Sequence, residues 1–462
     1  MNVKKPALEP SLIVIFGITG DLSQRYLLPA LYHLFKGNLL HKNTEIIGLT
    51  RQVLTAEQLF SKVELCINEA DKVCDPKALQ AMQQKTRLIQ FDPNVAEDYV
   101  TLLKELNNTE EKHGLCMNRL YYLSIPPRIF GAAVHNMGAA RLNGSCQHGK
   151  AATRLLVEKP FGYDLASAKE LIKKTAEVFK EEQVYRIDHY LAKETVQNIL
   201  TFRQHNPIFA DEWNHQHIQH IDITASEKIG IEGRINFYEG VGALRDLVQS
   251  HLLQLLTLVT MELPKTLDDA SAVHKEKEAL LKAVQPADPK QAIRGQYKTY
   301  KEEVGAPNSI TETFAQLNLR INNRRWKNVP ITITTGKSLL EKKTEITLTF
   351  TNPHDTQTNA LTFRLQPNEG IHLELCVKQP GFDNQIEHAV MDFSYRGKFG
   401  ETSHPDAYER VLVDAVRGDR TLFATSEEVL LSWKVLEKVI ESWRGNAIGL
   451  QTYANGSAGP KT

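Results

Sequence analysis

Leu12-Ile13-Val14-Ile15-Phe16-Gly17-Ile18-Thr19-Gly20-Asp21-Leu22 decides how the chain begins to fold. Leu12 to Phe16 is an unbroken apolar run, which suits a strand buried on both faces of a parallel sheet. It leads into Gly17-Ile18-Thr19-Gly20 and then into a helical pattern. Glycines between a strand and a helix let the backbone turn tightly and approach a pyrophosphate, which the N–H groups at a helix N-terminus attract. The spacing is G-x-x-G rather than the full dinucleotide fingerprint, so an ordinary βα turn would look the same. Farther along, Pro29 predicts a kink or a fresh helix start, and Gly37-Asn38 its C-cap.

The next apolar run, Glu45 to Thr50, reads as a second strand ending at Arg51. At this point of a nucleotide-binding sheet an acidic residue selects NAD through the ribose 2′-hydroxyl, whereas an arginine accommodates the 2′-phosphate of NADP. Arg51 fits the second role, and a solvated surface arginine would also sit here. Helical spacing at Leu59, Val63 and Ile67, a strand at Leu88 to Phe91, and a helix through Val100, Leu103 and Leu106 follow. Strands at Leu120 to Ile125 and from Leu155 end at Pro126-Pro127 and at Glu158-Lys159-Pro160-Phe161-Gly162. Such alternation predicts a doubly wound parallel sheet, whose ligands gather at the carboxyl ends of its strands. Gly17, Arg51, Pro126 and Lys159 all fall at such ends.

Composition narrows the rest. The 462 residues suffice for two or three domains with full cores. Lys plus Arg and Asp plus Glu are both 55, a balance that argues against a nucleic-acid or membrane-surface role. The 5 cysteines follow no C-x-x-C spacing and fit reduced thiols in a cytoplasm better than a disulfide framework. The N-terminal apolar run is too short for a signal peptide or a membrane span. No Cys/His/Asp/Glu cluster has metal-ligand spacing, and no G-x-S-x-G or Walker motif appears.

Beyond Lys193 the pattern changes to alternation at His220 to Ala225, 315–321, 331–333, 346–350, 361–365 and 371–375, which predicts a large, mostly antiparallel sheet. Helical patterns return at 405–417 and 427–443. One helix opens at Gly240-Val241-Gly242 and carries an apolar stripe through Leu244, Leu247, Val248, Leu255 and Leu258, with His251 inside it. A histidine so placed is either a satisfied core residue or a base at the edge of a cleft. Asp246 lies five residues earlier, about 140° round an α-helix, which disfavours it as the partner of His251. Arg186-Ile187-Asp188-His189-Tyr190-Leu191-Ala192-Lys193-Glu194 reads as a strand end turning into a helix. It makes either an anion site suited to phosphate or a polar turn capped by Asp188.

Four motifs together resemble the glucose-6-phosphate dehydrogenase family: GITGDLSQRYLLPAL, EKPFG, RIDHYLAKE (with Ala192 for the usual Gly) and RDLVQSHLLQ (with Ser250 for the usual Asn). The resemblance spans most of the chain. It implies oxidation of D-glucose 6-phosphate at C1 to 6-phospho-D-glucono-1,5-lactone by NADP, the first step of the oxidative pentose phosphate pathway, with NAD left open as a second acceptor. In its terms His251 is the catalytic base and Asp188 orients it. His189, Tyr190 and Lys193 hold the sugar phosphate. Lys159 touches substrate and cofactor, and Glu227, Asp246, Lys337, Lys342 and Gln366 contact the sugar. Gly17, Thr19, Gly20, Asp21, Leu22 and Arg51 bind the cofactor. Tyr26 stands where the family usually has a Lys near the substrate, so no role is assigned to it. The resemblance further implies a cytoplasmic homodimer or homotetramer joined sheet to sheet. The expected organisation is an α/β Rossmann-like dinucleotide-binding domain at 1–187, an α+β substrate-binding and oligomerisation domain at 188–454, and a disordered tail at 455–462. Another sugar or sugar-phosphate dehydrogenase, and a non-catalytic dinucleotide sensor, are the alternatives. A sensor would have no need of His251, Asp188 and Lys193 together.

Overall fold

A computed structural model of the chain describes residues 8–71, 73–146, 151–232, 235–352, 358–400, 405–446 and 448–461. The backbone divides into two units, one made of 1–162, 166–192 and 405–426, the other of 163–165, 193–404 and 427–462. Among the described residues no helix is long and apolar enough to cross a membrane.

In the first unit β1 (Ser11–Phe16), β2 (Glu45–Thr50), β3 (Thr86–Gln90), β4 (Asn118–Leu123), β5 (Thr153–Val157) and β6 (Val184–Ile187) lie parallel in the order 3-2-1-4-5-6. The order reverses between β1 and β4, the switch point beyond which doubly wound sheets bind nucleotides. Every residue of β1 and of β4 is buried, which is why these strands read as continuous apolar runs and not as alternation. The helix after β1 runs as a π-helix at Ser23–Leu27 and as an α-helix at Leu28–Lys36, with Pro29 in the first turn of the latter. A proline offers no N–H, and a change of helical bonding just ahead of it accommodates that.

A late segment completes this unit. β15 (Phe423–Ala424) pairs antiparallel with β6 as the seventh strand, and the helix Ala407–Arg417 buries Val411, Leu412, Ala415 and Val416 in the same core as Leu31 and Tyr122. The expected division at 187/188 thus differs from the structure, which keeps 188–192 and 405–426 with the first unit. Periodicity marks the buried face of a helix but not the sheet that covers it.

The second unit holds β7 (Ile218–Ser226), β8 (Ile293–Tyr297), β9 (Phe314–Leu319), β10 (Ile331–Gly336), β11 (Lys343–Phe350), β12 (Ala360–Gln366), β13 (Gly370–Lys378), β14 (Ile386–Ser394) and β16 (Leu450–Tyr453). They form one nine-stranded sheet in the order 14-13-12-11-7-10-9-8-16, antiparallel except at the pairs β7/β10 and β8/β16. Ile221, Ile223, Ile331, Ile333, Ile346, Leu348, Leu361 and Phe363 line its buried face. β14 escaped sequence detection because neither of its faces is buried, so it carries no alternation to read.

Two expectations fail here. The tail beyond Tyr453 is held, not disordered: Asn455 Nδ2 donates to Thr299 Oγ1 at 2.8 Å, Gly456 N to Ser338 O at 2.8 Å, and Ser457 O accepts from Leu340 N at 2.9 Å. Backbone hydrogen bonds anchor a segment whatever its composition, so a run rich in Gly, Ser and Pro is no proof of disorder. Cys116 and Cys146 are joined as a disulfide with Cα atoms 5.8 Å apart, while Cys66, Cys74 and Cys376 are free thiols. Loops 30 residues apart in sequence meet there, a juxtaposition that spacing does not reveal.

Candidate active site

In the first unit the glycine turn is built to admit nothing but backbone. Gly17 has φ +76°, and a Cβ on it would lie 2.4 Å from the carbonyl oxygen of Ser124. Gly17 N donates to Leu49 O at 3.1 Å, Gly20 N to Gly17 O at 2.9 Å, and Gln24 Nε2 to Thr19 O at 2.8 Å. Ser23 Oγ ties the turn to the end of β4, donating to Gly17 O at 3.0 Å and to Ser124 Oγ at 3.1 Å. These bonds fix Gly17, Thr19, Gly20, Asp21 and Leu22 at the start of a helix, where unsatisfied N–H groups favour an anion. Arg51 follows β2 immediately and is exposed. Beside it Thr19, Gln24, Gln52, Leu54, Gln58, Leu59, Ser61 and Lys62 line a cavity of about 390 Å³.

Lys159 follows β5 by two residues and precedes a cis peptide to Pro160. Its neighbour Glu158, which sequence reasoning passed over, accepts from Tyr122 Oη at 2.5 Å. Burial pushes the Glu158 carboxyl up to about 7 despite that bond and the Lys159 charge, and the Asp188 charge adds to the rise. Asp188 itself is only 2% exposed, one residue beyond β6. Its Oδ1 accepts from Tyr190 N at 3.0 Å, so it closes a tight turn and does not cap the helix Glu194–His205, whose N-cap is Lys193. His189 stands edge-on to Tyr190 at 5.2 Å and parallel to Tyr408 at 6.3 Å, and Tyr408 also stacks on Tyr26 at 5.4 Å. Tyr408 was not singled out from the sequence, because the helix that brings it lies more than 200 residues away.

The second unit assembles its own group. β7 and β10 are parallel neighbours with Ser226 opposite Gly336, so the next residues, Glu227 and Lys337, emerge side by side. Glu227 N donates to Gly336 O at 2.9 Å, and Lys337 Nζ pairs with Glu227 Oε2. Lys337 Nζ lies 5.2 Å from the centre of the Tyr238 ring. Burial, with the charges of Asp246, Glu312 and Glu227, pushes the Tyr238 phenol well above its ordinary range. Glu227, Lys337 and Asp246 therefore share one neighbourhood around Tyr238, a residue the sequence reading did not name. Gln366 ends β12 opposite Thr344 of β11, and Lys342 is exposed just ahead of β11.

His251 is 1% exposed. The helix that carries it is not a plain α-helix: Leu244–Leu252 is a π-helix, followed by an α-helix at Leu253–Thr260. This corrects the separation inferred for Asp246 and His251. In i→i+5 bonding, residues five apart lie on successive turns of one face, so the argument from about 140° of α-helical rotation does not hold. π segments are rare, and no 3.6-residue pattern announces them.

Residues 14–198 match the family described as glucose-6-phosphate dehydrogenase, NAD binding domain, and residues 200–462 match glucose-6-phosphate dehydrogenase, C-terminal domain. The glucose-6-phosphate 1-dehydrogenase of Chlamydia muridarum is 39% identical over 487 residues, covering 100% of this chain and 96% of its own length. That of Chlamydia pneumoniae is 40% identical over 98% of this chain and 93% of its own. A solved glucose-6-phosphate dehydrogenase in complex with its substrate glucose-6-phosphate is 33% identical, covers 99% of this chain and 97% of its own, and superposes with a TM-score of 0.91. With both family domains following one another along nearly the full length of such relatives, the chain belongs to the glucose-6-phosphate dehydrogenase family.

Proposed function

We propose that the chain oxidises D-glucose 6-phosphate at C1 to 6-phospho-D-glucono-1,5-lactone with NADP as acceptor. The observation that carries the reading is the group in the second unit: Glu227, Lys337 and Asp246 about Tyr238, with His251 one π-turn along the helix from Asp246. Family membership makes the cofactor a nicotinamide dinucleotide. The first unit fits one, since Gly17, whose φ of +76° and close approach to Ser124 O exclude a side chain, lets the chain turn tightly from β1 into a helix start, and Arg51 at the end of β2 favours a 2′-phosphate. Gly17, Thr19, Gly20, Asp21, Leu22, Arg51 and Lys159 would hold it, with NAD as a weaker alternative. The bound nicotinamide supplies the hydride acceptor.

The remaining work belongs to side chains. His251 takes the proton from the 1-hydroxyl as C1 is oxidised. The family motif assigns Asp188 to fix the imidazole tautomer and stabilise the imidazolium. His189, Tyr190 and Lys193 hold the phosphate, so that binding energy at C6 orients C1, largely a positioning effect. Lys159, Glu227, Asp246, Lys337, Lys342 and Gln366 hold the sugar hydroxyls. We further propose a cytoplasmic homodimer or homotetramer. The support for the assembly is the polar face of the nine-stranded sheet, where Glu345, Thr347, Thr362, Arg364, His372 and Glu374 line an open depression.

The test mixes protein, NADP and glucose 6-phosphate and follows NADPH absorbance. No NADPH with this sugar, but ready formation with another sugar or sugar phosphate, would overturn the substrate. His251→Asn should fold, bind both ligands and lose about 10²- to 10⁴-fold in kcat, as for a lost general base. Near-normal turnover would leave His251 a packed core residue.

A further inference from the structure

The helix of His251 is held at both ends. At its start Tyr300 Oη and Ser309 Oγ donate to Glu239 Oε2 at 2.7 and 3.0 Å, and Gly240 N donates to Thr311 Oγ1 at 3.0 Å. Glu312 takes two amides farther on: Ala243 N donates to its backbone carbonyl at 2.9 Å, and Leu244 N to its Oε1 at 3.2 Å. Glu312 is 6% exposed and lies flush against the helix start, since a Cβ on Gly242 would be 2.3 Å from its Oε1 and 2.6 Å from its Oε2. At the far end Arg203 donates to Leu258 O and Met261 O, both at 2.6 Å. Trp213 Nε1 and Trp326 Nε1 donate to Val259 O and Thr260 O, both at 2.7 Å. Between these clamps runs the nine-residue π segment that contains Asp246 and His251.

A π segment of this length is rare, and contacts that hold both its ends oppose a change of register between them. If the start slipped by one residue, everything beyond it would rotate about the helix axis. His251 would then point elsewhere while the fold stayed intact. We propose that Glu312 is a positioning residue for the reaction: its carboxylate and carbonyl lock the register of this helix and so the place of His251. The proposal rests on the reading of His251 as the base. Glutamine has the same shape and keeps an oxygen beside Leu244 N, so it replaces Glu312 without removing the acceptor.

The experiment compares three single variants with the full-length enzyme. Glu312→Ala removes the acceptor for Leu244 N, and kcat should fall by about 10- to 100-fold, the cost of misplacing a catalytic group by about an ångström. The Kd for NADP, read by titration, should not change, because the turn at Gly17 is in the other unit. Glu312→Gln keeps an oxygen for Leu244 N and should recover kcat to within about threefold of the parent. If Glu312→Ala does not fold, Glu312→Asp carries the same expected loss, since it keeps the charge but withdraws the oxygen by one methylene. A normal kcat in Glu312→Ala or Glu312→Asp, or a loss in Glu312→Gln as deep as in Glu312→Ala, overturns the proposal. His251→Asn separates this failure from failure of the underlying reading. In that background Glu312→Ala should cost nothing further, because the two act as one unit. A fast His251→Asn enzyme refutes the base; a slow one beside a fast Glu312→Ala enzyme refutes only the lock.

Discussion

Glu428→Gln should destabilise the second unit by about 3 kcal/mol, and the loss should fade on acidification. Glu428 is 0% exposed, as is Lys277, and the two form an ion pair at 2.7 Å. His274 Nδ1 lies 2.7 Å from Glu428 Oε1, and Gln254 Nε2 donates to Glu428 Oε2 at 2.9 Å. Burial by itself raises this carboxyl, but the Lys277 charge and the bond and charge of His274 outweigh it and hold the carboxyl down at about 2. Measured against an ordinary glutamate near 4.5, that depression corresponds to roughly 3 kcal/mol. The sign follows from the folded value being the lower one. The stabilisation is complete above the unfolded value of about 4.5 and is lost as pH falls toward about 2. The difference between parent and Glu428→Gln should therefore be full at neutral pH and close progressively below about pH 4.5.

The chain carries its own reporter for this measurement. Its 4 tryptophans, Trp213, Trp326, Trp433 and Trp443, all belong to the second unit, so fluorescence during urea unfolding follows that unit alone. A difference below about 1 kcal/mol at neutral pH, or one that does not shrink in acid, would refute the reasoning. A companion variant checks the cause. Glu428→Leu combined with Lys277→Met should recover much of the loss, because an apolar pair of similar volume often replaces a buried ion pair without penalty, whereas a lone buried charge is costly.

Arg51→Ala should weaken NADP by about 10- to 100-fold and NAD much less, since only NADP offers the 2′-phosphate; equal losses in titration would remove Arg51 from that role. Lys193→Ala should raise the KM for glucose 6-phosphate by a similar factor of about 10 to 100 while leaving free glucose, as a poor substrate, nearly untouched; parallel losses would show that Lys193 is no phosphate ligand. Equilibrium titration should saturate at one NADP per chain. The family resemblance implies that some relatives hold a second, structural NADP with arginines at the positions of Thr334 and Thr347, whereas here Thr347 Oγ1 lies 3.0 Å from Thr362 Oγ1 across the sheet. A stoichiometry near two would refute it.

The parts of the fold legible in the sequence are those where one physical rule governs. Apolar runs gave β1 and β4 because a doubly covered sheet buries both faces of these strands, and alternation gave β7, β11 and β12 because one face is buried and the other wet. β14, with neither face buried, and the anchored tail, held by backbone bonds, obey no such side-chain rule. The return of 405–426 to the first sheet is a matter of connection, which local pattern does not encode.

The site divides along the same line. Glu227 and Lys337 were reached as single residues by motif; what joins them is the parallel register of β7 and β10, which no one-strand reading contains. Tyr26 gave no usable signal because it replaces a lysine, yet in the fold its ring stacks on Tyr408, whose other neighbour is His189. At that position an aromatic contact with Tyr408 stands where the family resemblance implies a lysine. His251 shows why motif and periodicity can disagree without either being misread. Its 3.6-residue spacing from Leu247 and Leu255 is that of a core residue, and it is indeed buried. The π bonding from Leu244 to Leu252 changes which residues share its face, bringing Asp246 to the turn before it. A regular α-helix would have kept the stripe apolar and turned Asp246 away from His251. Departure from regular bonding, with Glu312 bonded at one end and Arg203 at the other, brings Asp246 and His251 to neighbouring turns of one buried helix.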